Sequence, residues 1–213
     1  MPDIEFAPEA TPNVALAVFG NRLELAEKYA SLLVRDGDLL GLIGPRELPK
    51  LWSRHILNSA VVGELVNPGQ KVADVGSGAG LPGIPMAIKC PDVQFTLIEP
   101  MERRATWLSE IVVPALGLTN VKVLRARAEE ALFEAYDVVT ARAVSALPQL
   151  IKMLAPLTKT GGVILALKGS KAADEIKDSK NLVKKFKIKE FEIVTAGGEL
   201  LSDPTTVVRI TLL

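Results

Sequence analysis

The chain of 213 residues carries 25 basic and 25 acidic side chains, one cysteine and one histidine, and is 48% hydrophobic and 23% charged. That composition excludes a disordered chain, and the charge balance excludes a globally basic field, so a nucleic-acid partner would have to be gripped by local patches. Cys90 alone can form no internal disulfide, the ligands of a usual structural zinc site are lacking, and no apolar run reaches the ~18 residues of a membrane span. No metal site, no membrane insertion and a reducing, cytoplasmic setting are therefore expected, and the acidic start Met1-Pro2-Asp3-Ile4-Glu5 does not read as a secretion signal.

From about Asn13 to Arg35 and again from Glu47 to Val66 apolar residues recur at helical spacing, with Leu16, Phe19, Leu23, Ala26, Tyr29, Ala30 and Leu33 on one stripe. A glycine-punctuated connector, Asp36 to Pro45, lies between them, and Asn67-Pro68-Gly69-Gln70 ends the helical portion. Residues 1–68 are expected to be an N-terminal helical portion and 69–213 the main domain. There, strands at Lys71–Val75, Gln94–Glu99, Val121–Leu124, Tyr136–Thr140 and Gly162–Leu167 alternate with helices at Ile84–Lys89, Arg103–Leu116, Ala146–Leu157 and Ala172–Lys185. Such alternation predicts an α/β fold, a doubly wound parallel sheet covered on both faces. The last apolar runs, Ile188–Thr195 and Thr205–Leu213, predict a terminal antiparallel hairpin bridged by Ala196-Gly197-Gly198-Glu199.

The first strand runs into Asp74-Val75-Gly76-Ser77-Gly78-Ala79-Gly80-Leu81-Pro82-Gly83. Glycines admit positive φ and close backbone approach to a ligand, and the helix after them would aim its N-terminal amides and dipole at it. A dinucleotide fingerprint needs glycine three residues after Gly78, where Leu81 stands. The pattern acid-x-Gly-x-Gly-x-Gly instead resembles the first motif of class I S-adenosylmethionine-dependent methyltransferases, whose topology the terminal hairpin also resembles.

Ligands of doubly wound sheets lie at the carboxyl ends of the strands. Glu99 closes the second strand, roughly twenty residues past the loop, where an acid can accept from both hydroxyls of a ribose. After the third strand, Ala128 is small enough for a flat base and Glu129 can read its edge. After the fourth, Thr140-Ala141-Arg142-Ala143-Val144 stands where amino-directed methyltransferases place Asp or Asn, Pro-Pro and an aromatic residue. That absence argues against an exocyclic amine as acceptor and for a ring nitrogen with a free lone pair. Cys90 is misplaced to serve as a nucleophile for carbon methylation. Arg142 and Lys168, which follow the fourth and fifth strands, are two cations expected to orient a polyanionic substrate without an obligatory general base. Arg54 and His55, in Trp52-Ser53-Arg54-His55-Ile56-Leu57-Asn58-Ser59, and the pair Arg103-Arg104 are candidate RNA contacts.

Taken together, Trp52–Ser59, Asp74–Pro85, Ala141-Arg142-Ala143 and Leu167-Lys168-Gly169 resemble the small-subunit ribosomal RNA guanine-N7 methyltransferase family, also called glucose-inhibited division protein B. The resemblance implies S-adenosylmethionine as donor and N7 of one guanine of 16S ribosomal RNA as acceptor, in naked RNA or the small ribosomal subunit. It also implies Gly76, Leu81, Ala128, Glu129 and Arg142 as cofactor contacts; Gly78 and Glu99 join them from the reading of the residues. Asn58 and Glu99 stand where the family often has Asp. A monomer is expected. A methyltransferase of small molecules or proteins, or a non-catalytic ribosome-assembly factor that binds the cofactor, are the alternatives.

Overall fold

The computed structural model describes residues 6–132, 134–142 and 145–213. Seven strands form one sheet: β1 Lys71–Val75, β2 Gln94–Ile98, β3 Val121–Leu124, β4 Tyr136–Arg142, β5 Thr158–Leu167, β6 Ile188–Ala196 and β7 Thr205–Leu212. Their order is β3-β2-β1-β4-β5-β7-β6, parallel except for β7, which runs antiparallel between β5 and β6. The chain reverses direction across the sheet between β1 and β4, so the carboxyl ends of those two strands flank the crevice where a doubly wound fold takes its ligand. β1 is buried from Val72 to Val75, as a central parallel strand covered on both faces must be.

Helices α1 (Val14–Phe19), α2 (Leu23–Asp36) and α3 (Asn58–Ala60) belong to the N-terminal portion; α4 (Gly83–Lys89), α5 (Glu102–Thr106), α6 (Val113–Leu116), α7 (Leu147–Leu154), α8 (Ala172–Ser179) and α9 (Val183–Phe186) cover the sheet. The N-terminal residues Tyr29, Leu33, Trp52 and Ile56 share one buried cluster with Ala79, Ile84, Leu97 and Leu108. The glycine loop is thus backed by side chains from the first 60 residues.

Four differences from the sequence expectations are local. Helical spacing over Glu47–Val66 resolves into a 3-10 segment (Pro45–Lys50), a π-helix (Leu51–Leu57), α3 and a second 3-10 segment (Val61–Leu65). The Arg103–Leu116 helix likewise contains a π-helical stretch, Trp107–Val112, just before Pro114, which has no N–H to donate. β4 continues to Arg142 because Ala141 and Arg142 pair with Ala166 and Leu167 of β5. β6 runs one residue further than expected, to Ala196, and Gly197 just beyond it, in the β6–β7 loop, is tied to the N-terminal portion: its N–H donates to Glu64 Oε2 at 3.0 Å, and a Cβ there would lie 2.8 Å from Val61. Thr205 Oγ1 donates to the Asn58 carbonyl at 2.7 Å on the other side of that loop.

Candidate active site

The glycine loop leaves β1 with Gly76, Gly78 and Gly80 at φ of 72°, 56° and 90°, values that side-chain-bearing residues rarely adopt. A Cβ on Gly80 would collide with Ile84 and one on Gly83 would fall on Leu97 and within 2.7 Å of Asp74 Oδ2, so these two glycines serve packing. Gly78 differs: among the described residues the only atom near the place of its Cβ is the Gly76 carbonyl oxygen at 3.8 Å, so the space beside it is open.

The amides expected to greet a ligand at the start of α4 are already in use. Gly83 N–H donates to Asp74 Oδ2 at 3.0 Å, Ile84 N–H to the Gly80 carbonyl and Met86 N–H to that of Pro82, while Pro85 has none. This corrects the helix-terminus expectation: the helix start is capped from β1. Gly78 N–H donates to Glu99 Oε2 at 2.7 Å, and the other Glu99 oxygen accepts from Met101 N–H at 2.9 Å. Glu99 therefore braces the loop from the end of β2, and its remaining lone pairs leave room for a ribose hydroxyl.

Asp74 is wholly buried and its Oδ1 has no partner among the described residues. Burial pushes its carboxyl up to about 7, with the neighbouring Glu99 adding to the rise and the Gly83 amide, Ser77 and Arg142 opposing it. Tyr29, equally buried, donates to the Ala79 carbonyl at 2.7 Å and holds the outer turn of the loop from α2.

Arg142 ends β4 beside this group. Its Nη1 donates to Ser59 Oγ at 3.0 Å and to the His55 carbonyl at 3.2 Å, and its Nη2 donates to His55 Nδ1. Burial, and after it the neighbouring Arg54, works against its charge and lowers its value, while Tyr29, Asp74 and Glu47 favour the charge. His55 is buried and reaches Glu47 with Nε2 at 2.8 Å. His55, expected as an RNA contact, faces inward in this structure, while its neighbour Arg54 is exposed and 3.5 Å from Glu47. Arg104 is half-buried and donates to the Gly41 carbonyl at 2.8 Å, whereas Arg103 is exposed.

Lys168 is less free than its place after β5 suggested. Its ammonium donates to the Ser145 carbonyl at 2.6 Å and to Glu175 Oε2 at 2.8 Å, and Glu175 also accepts from Leu147 N–H. It ties β5 to the β4–α7 connection; Ala143 and Val144 of that connection lie outside the described residues. Ala128 is buried at the start of a 3-10 turn after β3, with Glu129 exposed beside it, and Leu81 is half-buried in the glycine loop.

A cleft of about 670 Å³ lies over the ends of β4 and β5, lined by Arg54, Asn58, Arg142, Lys168, Asp203 and Thr205 among others. Three cations and one carboxylate from four parts of the chain meet there. Sequence reading passed over Tyr29, Glu47, Ser59 and Asp203; Tyr29 sat in a helical apolar stripe that gave no sign of its hydroxyl's role.

A seven-stranded sheet with one antiparallel strand inserted next to the edge, a glycine loop after β1 and an acid after β2 define a class I S-adenosylmethionine-dependent methyltransferase fold. Among solved structures the chain resembles M. jannaschii TYW2 in complex with AdoMet (TM-score 0.58, 20% identity, 73% of this chain and 74% of that one). It also resembles a putative S-adenosyl-L-methionine-dependent methyltransferase from Methanococcus maripaludis (TM-score 0.58, 13% identity, 79% and 92%). A family model described as rRNA small subunit methyltransferase G matches residues 22–202, and the chain belongs to that family. Proteins named ribosomal RNA small subunit methyltransferase G are 53% identical over 197 residues in Arthrobacter sp. strain FB24 (92% of this chain, 91% of that protein) and 50% identical over 205 in Leifsonia xyli subsp. xyli (96% and 97%).

Proposed function

We propose that this protein transfers the methyl group of S-adenosylmethionine to N7 of a guanine in 16S ribosomal RNA. The observation that carries the reading is the end of β4: an arginine held on three hydrogen bonds stands where an amine-directed enzyme needs an acceptor for the amine protons. Guanine N7 has an in-plane lone pair and no proton, so alignment and desolvation do the work and no general base is required. Family membership supports the RNA substrate.

The residues present fit the cofactor. Gly78 leaves open space where any side chain would intrude, Asp74 Oδ1 is a buried acceptor without a donor among the described residues, and Glu99 has lone pairs to spare. Gly76, Gly78, Leu81, Glu99, Ala128, Glu129 and Arg142 would hold it, and when bound it supplies an electrophilic methyl group on a sulfonium. Arg142 and Lys168 shape the floor of the acceptor cleft, the first as a donor and the second as a brace. Exposed Arg54 and Arg103 are the cations placed to meet RNA phosphates. We further read residues 1–68 as the substrate-side portion, residues 69–213 as the methyltransferase domain, and the working protein as a cytoplasmic monomer.

The test is transfer of labelled methyl from S-adenosylmethionine to unmodified small ribosomal subunits and to deproteinised ribosomal RNA in parallel, with the modified base mapped. Label on a single guanine N7 is expected. Label at another atom would overturn the acceptor, and cofactor binding without label in either substrate would point to a binding module or a non-RNA acceptor.

A further inference from the structure

The chain has one histidine, and it is buried between an acid and a guanidinium that come from opposite sides of it. Arg142 has only N–H groups and can only donate, so His55 Nδ1 must be the unprotonated, accepting nitrogen. The ring proton is then on Nε2, which donates to Glu47 Oε2 at 2.8 Å. The two neighbours together specify one tautomer of a neutral ring. Burial and the Arg142 charge both oppose protonation of the imidazole, and exposed Arg54 adds to them; Glu47 alone among the facing charges favours it.

This ring also completes the cage around Arg142. Of the five guanidinium N–H donors, Nη1 uses two on Ser59 Oγ and the His55 carbonyl, and Nη2 uses one on His55 Nδ1. The N-terminal segment so takes three donors and leaves Nε–H and one Nη2–H without a partner among the described residues. A long side chain held at three points has lost its rotamer freedom before any ligand arrives.

We propose that His55 is a positioning residue for the reaction: as the neutral Nε2–H tautomer, oriented by Glu47, it holds Arg142 so that its two remaining N–H donors meet a carboxylate of the bound cofactor. The inference rests on the reading of Arg142 as a cofactor contact and adds the N-terminal residues that set its geometry. Protonation of His55 would remove the Nδ1 acceptor and place two cations side by side, so the arrangement requires the neutral ring.

Two measurements on the full chain test this. Long-range ¹H–¹⁵N correlation of the single histidine should show the Nε2–H tautomer at neutral pH, titrating below the ordinary imidazole range and moving back toward it in Arg142→Met, which removes the neighbouring charge. The Nδ1–H tautomer, or a titration indifferent to Arg142, overturns the proposal without any variant at position 55. Binding of S-adenosylhomocysteine by calorimetry supplies the second readout. His55→Leu, which fills the site without an acceptor, should weaken binding about tenfold or more, and His55→Asn, whose Oδ1 can stand in for Nδ1, should stay within about threefold of wild type. Wild-type affinity should fall on acidification through the lowered histidine value, and that limb should be missing in His55→Asn. Equal behaviour of Leu and Asn variants overturns the positioning role. Unchanged affinity in Arg142→Ala would instead sink the reading of Arg142 itself.

Discussion

The Asp74 carboxylate, at the buried end of β1, accepts the N–H of Gly83 at 3.0 Å and so fixes where α4 begins. A Cβ on Gly83 would fall on Leu97 and press within 2.7 Å of Asp74 Oδ2, neither of which has space to retreat in a fully buried site. Gly83→Ala should therefore lose about 1–3 kcal/mol through overpacking. Equilibrium urea unfolding measures it, and an unchanged midpoint would show that the loop can give way.

Asp74 titrates at about 7 in the folded protein against an ordinary 3.8. Between those values the folded state holds more protons than the unfolded one, so this group's contribution to stability declines as pH rises from about 4 to 7 and is flat above. Asp74→Asn keeps an oxygen for Gly83 and cannot ionise. Its stability relative to wild type should rise over the same interval, by at most on the order of 4 kcal/mol. Thermal melts at pH 5 and pH 8 check this; equal differences at both would place the Asp74 titration elsewhere.

Glu99 holds the N–H groups of Gly78 and Met101 with its two oxygens at 2.7 and 2.9 Å. Its removal frees the glycine loop and deletes the proposed ribose acceptor. Glu99→Ala should weaken S-adenosylhomocysteine binding roughly tenfold to a hundredfold, as expected for charge-assisted bonds. Calorimetry gives the number directly.

Glu9 Oε2 accepts from the N–H groups of Trp52 and Ser53, at 2.8 and 2.9 Å, and so caps the π-helix that carries Arg54 and His55. Glu9→Ala should cost about 1 kcal/mol, the usual value of a helix cap. A denaturation series detects it, and a wild-type midpoint would mean that water caps that helix equally well.

Lys168 links Ser145 and Glu175 across the end of β5. If it acts as a brace, Lys168→Met should reduce turnover by about tenfold or more, since small displacements of a reacting site cost that much, with little change in cofactor affinity. Single-turnover methyl transfer and calorimetry separate the two. Equal loss in both would make Lys168 a cofactor contact.

The sheet was legible because its strands are short apolar runs closed by turn residues; β1, β3 and β6 begin at the residues the pattern indicates. The glycine loop and Glu99 were legible because positive φ and strand-end position are local properties. Arg142 stood out by replacing an expected acid. Its partners His55 and Ser59 lie 87 and 83 residues earlier, and no periodicity predicts that a lone helical histidine will turn inward onto a distant arginine. The π-helical stretches were equally hidden, since their spacing of apolar residues is close to that of an α-helix over one or two turns.

The sequence by itself determined the fold class, the cofactor loop and the lack of a base after β4, all consequences of backbone sterics and side-chain type within a few residues. Only the tertiary structure decided which charges are turned inward and which face outward. His55 and Lys168 are partnered inside the protein and half-buried Arg104 donates to the Gly41 carbonyl, while Arg54 and Arg103 face outward, because an ionic or polar group in a packed interior must find partners, and those partners are fixed by the packing of segments far apart in the chain.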